Sequence, residues 1–155
     1  MCSSDLRLRP WLYAVARSGC HRWLRAGEAG LDEAAGLLWA TRSIQFAFDQ
    51  GATVVSLIPT RAGNGAMETL QARGLFSPPK LATLESAHAY GIQLQRGRVF
   101  ADLWDLEQFS ECAQCFAPRR DRLHHMNLEQ ALLEPVPCSA CGSDPRASAT
   151  PPPHQ

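Results

Sequence analysis

Apolar positions take on a helical rhythm from Asp32 onward. Asp32 and Glu33 place negative charge in a first turn, where the positive end of a helix dipole favours it. Leu37, Leu38, Ile44, Ala47 and Phe48 then recur at helical spacing, and Gly51 stands where a glycine C-cap belongs. The period changes at Thr53-Val54-Val55-Ser56-Leu57-Ile58, a β-branched, nearly continuous apolar run closed by Pro59. Such a run predicts a strand buried on both faces, as in a parallel sheet. The polar, glycine-rich stretch from Thr60 to Gly65 predicts a loop, and Ala66 to Arg73 a short helix stopped by Gly74. A further helix is expected from Ser77-Pro78-Pro79, with Ser77 as cap, Leu81, Leu84 and Ala87 or His88 as apolar stripe, and Gly91 as stop. Val99 to Trp104 predicts a second strand.

Helix, buried strand, glycine loop, helix, strand is the order of an α/β unit. The fold class expected is therefore α/β: an incomplete (β/α) barrel portion over residues 31–108, then a small four-cysteine, zinc-ribbon-like C-terminal module over 109–142. A complete barrel needs about 250 residues, and the chain has 155. Barrel strands without their neighbours would expose apolar edges and favour self-association. Residues 1–30 read as an arm with a short helix from about Pro10 to Arg25 as the alternative, and 143–155, with Pro151-Pro152-Pro153, as a disordered tail.

Composition adds boundaries rather than detail. Hydrophobic residues make up 45% and charged residues 19%, enough apolar content for a packed core. Fifteen basic and fifteen acidic side chains cancel, so whole-chain charge gives no pull toward nucleic acid or an anionic membrane. No apolar run approaches the ~20 residues that span a bilayer. Trp11 to Ala16 is too short for a secretory signal core and ends at Arg17. The chain is expected in the cytoplasm, where thiols stay reduced.

Six cysteines then need an explanation. Cys112-Ala-Gln-Cys115 and Cys138-Ser-Ala-Cys141 are two C-x2-C knuckles with 22 residues between them (138 − 115 − 1). Four thiolates aimed at one point complete a tetrahedral zinc site and leave no open position for a substrate, so the zinc expected is structural. An iron–sulfur cluster ranks second and disulfides third. A helix from about Arg119 to Leu133 can fill the gap, and Gly142 suits a tight knuckle with positive φ. Cys2 and Cys20 belong to no motif and read as free thiols. Between the knuckles Arg119, Arg120 and Arg122, with His124 and His125, form a local basic patch. It reads either as a contact for RNA phosphate or as a solvated helix face carrying Asp121.

Three stretches together resemble the C-terminal part of radical S-adenosylmethionine (SAM) proteins, within the elongator-like branch that includes the radical SAM subunit of archaeosine synthase. They are Ser43 to Glu85, Arg98 to Gln130 and Pro135 to Cys141, within a span from Ala40 to Cys141 that covers about two-thirds of the chain. The most specific pieces are Leu57-Ile58-Pro59 running into Gly63-Asn64-Gly65-Ala66-Met67-Glu68, and the double knuckle with Arg119 and Asn127-Leu128-Glu129-Gln130 between. The resemblance implies that Thr53 to Ile58 is a late barrel strand. The loop after it, including Pro59, Gly63, Asn64 and Gly65, would then lie beside the adenosine of the cofactor; the glycines equally suit a plain turn. It further implies work on RNA, tRNA in particular, and a protein partner or N-terminal barrel half. The family's C-x3-C-x2-C motif, which holds the [4Fe–4S] cluster that cleaves SAM, is absent. SAM and that cluster are therefore expected only in a longer parent protein, and this chain is expected to be its C-terminal portion and inactive alone. The rival expectation is a stand-alone zinc-ribbon-like module that binds RNA or protein.

Overall fold

The computed structural model describes residues 14–15, 33–61, 63, 65–73 and 77–141. The expectations placed on the rest of the arm, on Asp32, Asn64, Gly74, Gly142, Cys2 and Cys20, and on the tail lie outside these residues. In chain order the elements are β1 (Ala14–Val15), α1 (Glu33–Asp49), β2 (Val54–Leu57), α2 (Ala66–Ala72), α3 (Leu81–Gln93), β3 (Arg98–Ala101), a 3-10 turn (Leu106–Phe109) and α4 (Ala113–Glu129). The strands form one parallel sheet in the order β1-β2-β3. Val54 to Leu57 align residue for residue with Arg98 to Ala101. Ala14 and Val15 lie opposite Val55 and Ser56, so this part of the arm is strand and not helix.

Helix α1 ends as its sequence directs. Gly51 takes φ +85°, its N–H donates to Phe48 O at 3.0 Å, and Ala52 N–H donates to Ala47 O at 3.0 Å. This is the Schellman closure, and Ala47 and Ala52 make its apolar contact inside the core. Ile44, Ala47 and Phe48 reach that core, where they meet Val55, Leu57, Leu81, Leu84, Val99, Leu106 and Leu123.

Strand β2 differs from expectation on one face. Val55 and Leu57 are buried, whereas Val54 and Ser56 are only half-buried. The helices of the core cluster cover one face of the sheet, and among the described residues the other is covered in part. Strand β3 is shorter than the apolar run suggests. After Ala101 the chain turns: Asp102 Oδ1 accepts from Trp104 N–H at 3.1 Å, and Asp105 adopts a left-handed conformation (φ 50°).

Helix α3 starts at Leu81, later than its Ser-Pro-Pro signal directs. Lys80 is the N-cap, with extended backbone and no side-chain cap. Ser77 and Pro78 each precede a proline, which pushes both away from helical ψ. Lys80 N–H instead donates to Glu33 Oε1 at 3.2 Å, joining the starts of α1 and α3. Gly91 does not stop α3; it lies inside the helix and is buried. A Cβ there would come within 2.9 Å of both Val99 γ-methyls. The glycine lets the helix lie close on β3.

Helix α4 begins at Ala113 and takes in Pro118, whereas the sequence places its start near Arg119. A proline in this position removes one backbone bond, and packing of Leu123 and Met126, both fully buried, outweighs that loss. The free edge of β3 is paired, against the expectation of an open apolar edge. Asn127 Oδ1 accepts from Ala101 N–H at 2.8 Å and its Nδ2 donates to Ala101 O at 2.9 Å. Gln130 does the same for Val99, at 2.7 and 2.9 Å. Two side-chain amides take the place a neighbouring strand's main chain would fill.

Candidate metal centre

Cys112 is the N-cap of α4, in extended conformation, and Cys115 lies within the first turn. Ser110 Oγ donates to Cys112 O at 3.0 Å and steadies the entry to the knuckle. The second knuckle reaches the first by a return segment that α4 itself holds. Arg122 Nε donates to Leu133 O and Glu134 O at 3.0 and 2.9 Å, and its Nη2 donates to Leu133 O at 2.7 Å. Cys138 and Cys141 thereby arrive beside the helix start.

All four sulfurs lie within 4.8 Å of one another. Cys112 Sγ is 3.8 Å from Cys138 Sγ, and Cys115 Sγ is 3.8 Å from Cys141 Sγ. Four sulfurs at ~2.3 Å from one central ion form a tetrahedron whose edge is about 3.8 Å. The cross-knuckle spacing therefore suits a single ion. It does not suit disulfides, whose sulfurs bond at about 2.05 Å, and none of the four cysteines forms one. A multi-iron cluster spreads its thiolates over two or four irons and needs wider spacing between those on different irons. The group could hold a metal ion.

The electrostatics of the thiols are unequal. Main-chain N–H groups of Cys115 and Gln114, at the helix start, lower the Cys112 thiol below its ordinary range. Burial, with neighbouring thiols adding, pushes the Cys115 thiol up to about 12. A bound cation overrides such a barrier, because a coordinating thiol is deprotonated outright. Arg119 provides lasting positive charge near Cys115, which works against the rise in that thiol's pKa. The guanidinium is held in turn by Glu85 of α3: Nε and Nη2 both reach Oε2, at 3.1 and 2.5 Å. Arg122 Nη1 lies 3.7 Å from the other oxygen of the same carboxylate.

The three arginines of the basic patch thus part company. Arg119 and Arg122 face inward, with side chains 11% and 10% exposed, and serve the knuckles and the return segment. Arg120 is exposed and pairs with Asp121 at 3.3 Å. Sequence reasoning gives no site role to Glu85, nor an edge-pairing role to Asn127 and Gln130. Glu85 has one signal: it is the only acidic residue in α3 and adjoins the apolar stripe.

The loop residues take separate places. Pro59 is buried and lines a small apolar cavity with Ala40, Leu57, Ile58, Pro79 and Thr83. Gly63 (φ +122°) and Gly65 (φ +77°) are exposed, and Gly63 N–H donates to Glu68 Oε1 at 2.5 Å. Both adopt the backbone that favours glycine.

Comparison with protein families, curated proteins and solved structures gave no match. Fold and site define a mixed helix–strand protein with a parallel sheet and a four-cysteine group compatible with metal binding. No helix among the described residues is long and apolar enough to cross a membrane.

Proposed function

We propose that the four cysteines hold one structural zinc ion, and that this zinc-clamped unit is the late-strand part of a radical SAM-type barrel serving tRNA modification. The observation that carries the zinc reading is the pair of cross-knuckle sulfur separations, both 3.8 Å. Four protein ligands fill the coordination sphere, so the ion's role is to fasten the return segment to α4. A reducing cytoplasm keeps such thiolates available. Metal analysis of purified protein is expected to give about one zinc per chain. A metal-free folded protein, or a brown one containing iron, overturns it.

The barrel reading draws support from the sheet. Its strands are parallel, in chain order, with a helix in each crossover. That is the arrangement of successive (β/α) units. The reading assigns no radical step to this chain's own residues, because none of its cysteines form a C-x3-C-x2-C motif. After anaerobic reconstitution with iron and sulfide, incubation with SAM is expected to give no 5′-deoxyadenosine. Robust product sinks this part of the proposal and leaves the zinc reading intact.

The rival, a free-standing module that grips RNA through Arg119, Arg120 and Arg122, is weakened by the inward placement of two of the three. Arg120→Ala is the informative variant, since it leaves the interior alone. A clear loss of salt-dependent RNA binding in that variant favours the module.

A further inference from the structure

The four sulfurs of the metal centre are not equally open to solvent. Cys141 is exposed, Cys112 and Cys138 are half-buried, and Cys115 is buried at 3% exposure. Contacts of 3.8 Å pair them across the knuckles, Cys141 with Cys115 and Cys138 with Cys112. The exposed residue therefore has a buried sulfur of the other knuckle within reach. Cys115 belongs to the first turn of α4. Cys141 follows the return segment that Arg122 holds through the carbonyls of Leu133 and Glu134. A bond between Cys115 and Cys141 would close a loop of 25 residues (141 − 115 − 1).

From this arrangement we propose that Cys141 and Cys115 are a peroxide-sensitive modification site, at which oxidation expels the zinc and leaves a disulfide holding the return segment on α4. The inference rests on the zinc reading and deepens it. Oxidation of cysteine follows thiolate character and exposure, and a sulfenic acid condenses with a nearby thiol. All four sulfurs are thiolates when they bind a metal, so exposure selects Cys141 as the entry point. Its thiolate attacks one oxygen of hydrogen peroxide; the S–O bond forms, the O–O bond breaks and hydroxide leaves. The Cys115 thiolate then attacks the Cys141 sulfur; the S–S bond forms, the S–O bond breaks and a second hydroxide leaves. Two thiolates give up two electrons, peroxide takes them, and two solvent protons turn the hydroxides into water. The step removes two of four ligands from a site that needs all four to hold its ion, which stays divalent. Because the new bond crosses between the knuckles, it restrains the loop that the metal had closed. A disulfide inside either knuckle would free the return segment instead.

The test uses the full chain, its zinc content measured first. Hydrogen peroxide is added in steps while a chromogenic chelator reports free zinc, with a peroxide-free control. Remaining thiols are then alkylated and the linkages mapped by mass spectrometry of peptides. Zinc is expected to appear in step with the first disulfide, and that disulfide to join Cys115 to Cys141. Hydrogen exchange in α4 and the return segment of the oxidised, zinc-free protein is expected to stay close to that of the zinc-bound protein. It should be roughly tenfold or more slower than in chelated, reduced protein, on the scale of a loop-closing disulfide. Cys141→His, which keeps a fourth ligand, is expected to release zinc to peroxide roughly tenfold more slowly, because the exposed thiolate is gone. A first linkage within a knuckle, to any other cysteine or to another chain overturns the proposal. So does zinc that stays bound in excess peroxide, or exchange as fast after oxidation as after chelation. These outcomes leave the zinc reading standing, whereas a starting protein without zinc sinks both. Mapping of the wild type decides even if the histidine variant does not fold.

Discussion

Glu85 and Arg119 show how a single charged pair can connect the metal centre to the α/β core. Both side chains are largely buried, and the guanidinium bonds the carboxylate while its charge acts on the Cys115 thiol. Breaking such a pair from one side leaves an uncompensated charge, which costs about 3–5 kcal/mol. Glu85→Gln and Arg119→Gln are each expected to destabilise the protein on this scale, and the double variant by clearly less than their sum. Denaturant unfolding of the four proteins measures the coupling, and strict additivity would refute it. His88 gives a residue-level pH dependence. It is fully buried, its Nε2 donates to Val99 O at 3.0 Å, and Nδ1 has no partner among the described residues. Burial, opposed by the bond to Val99 and helped by Arg122, lowers its pKa to about 4 from 6.5. The unfolded chain therefore binds the proton first. His88's contribution to stability is complete above about pH 6.5 and is lost as pH falls toward 4, a change of up to about 3 kcal/mol. Unfolding of wild type and His88→Gln at several pH values should show a smaller acid loss in the variant; parallel curves would exclude His88 as the cause.

The edge of β3 is decided between elements. Asn127 on α4 and Gln130, which caps its C-terminus, stand three residues apart and meet Ala101 and Val99, two apart on the strand, each with a donor and an acceptor. Removing Asn127's amide leaves the Ala101 N–H and C=O unmatched, and removing Gln130's leaves the Val99 N–H unmatched while Val99 O keeps His88, at an edge that can pair with another chain. Asn127→Ala and Gln130→Ala are each expected to lose about 1–3 kcal/mol, and the double variant to self-associate with rising concentration. Sedimentation of the double variant checks this, and a monodisperse variant of unchanged stability would show that the amides do not guard the edge.

Across the whole molecule, the four-cysteine group, the Arg122 clamp and the β3 edge amides all lie on one segment, from the first knuckle to the second. Zinc binding adds directly to folding free energy, because the unfolded chain has no preformed site. Chelation of the metal, or Cys138→Ala, is expected to speed hydrogen exchange in α4 and the return segment while β2 and β3 stay protected. Equal protection with and without metal would separate the ion from the fold.

The local pattern alone determined the helical stretch up to Gly51, the apolar strand after it, and the two knuckles, because each depends on residue types at fixed short spacing. Even the Schellman closure of α1 is written in Gly51 and its neighbours. Where helices begin and which charges are buried was decided elsewhere. Two prolines delayed α3, packing drew α4 back across Pro118, and Gly91 serves Val99 rather than a helix end. Arg119 and Arg122 read as a basic patch because sequence records charge and not its partner. Glu85 lies 34 residues from Arg119 along the chain, and only folding brings the two together.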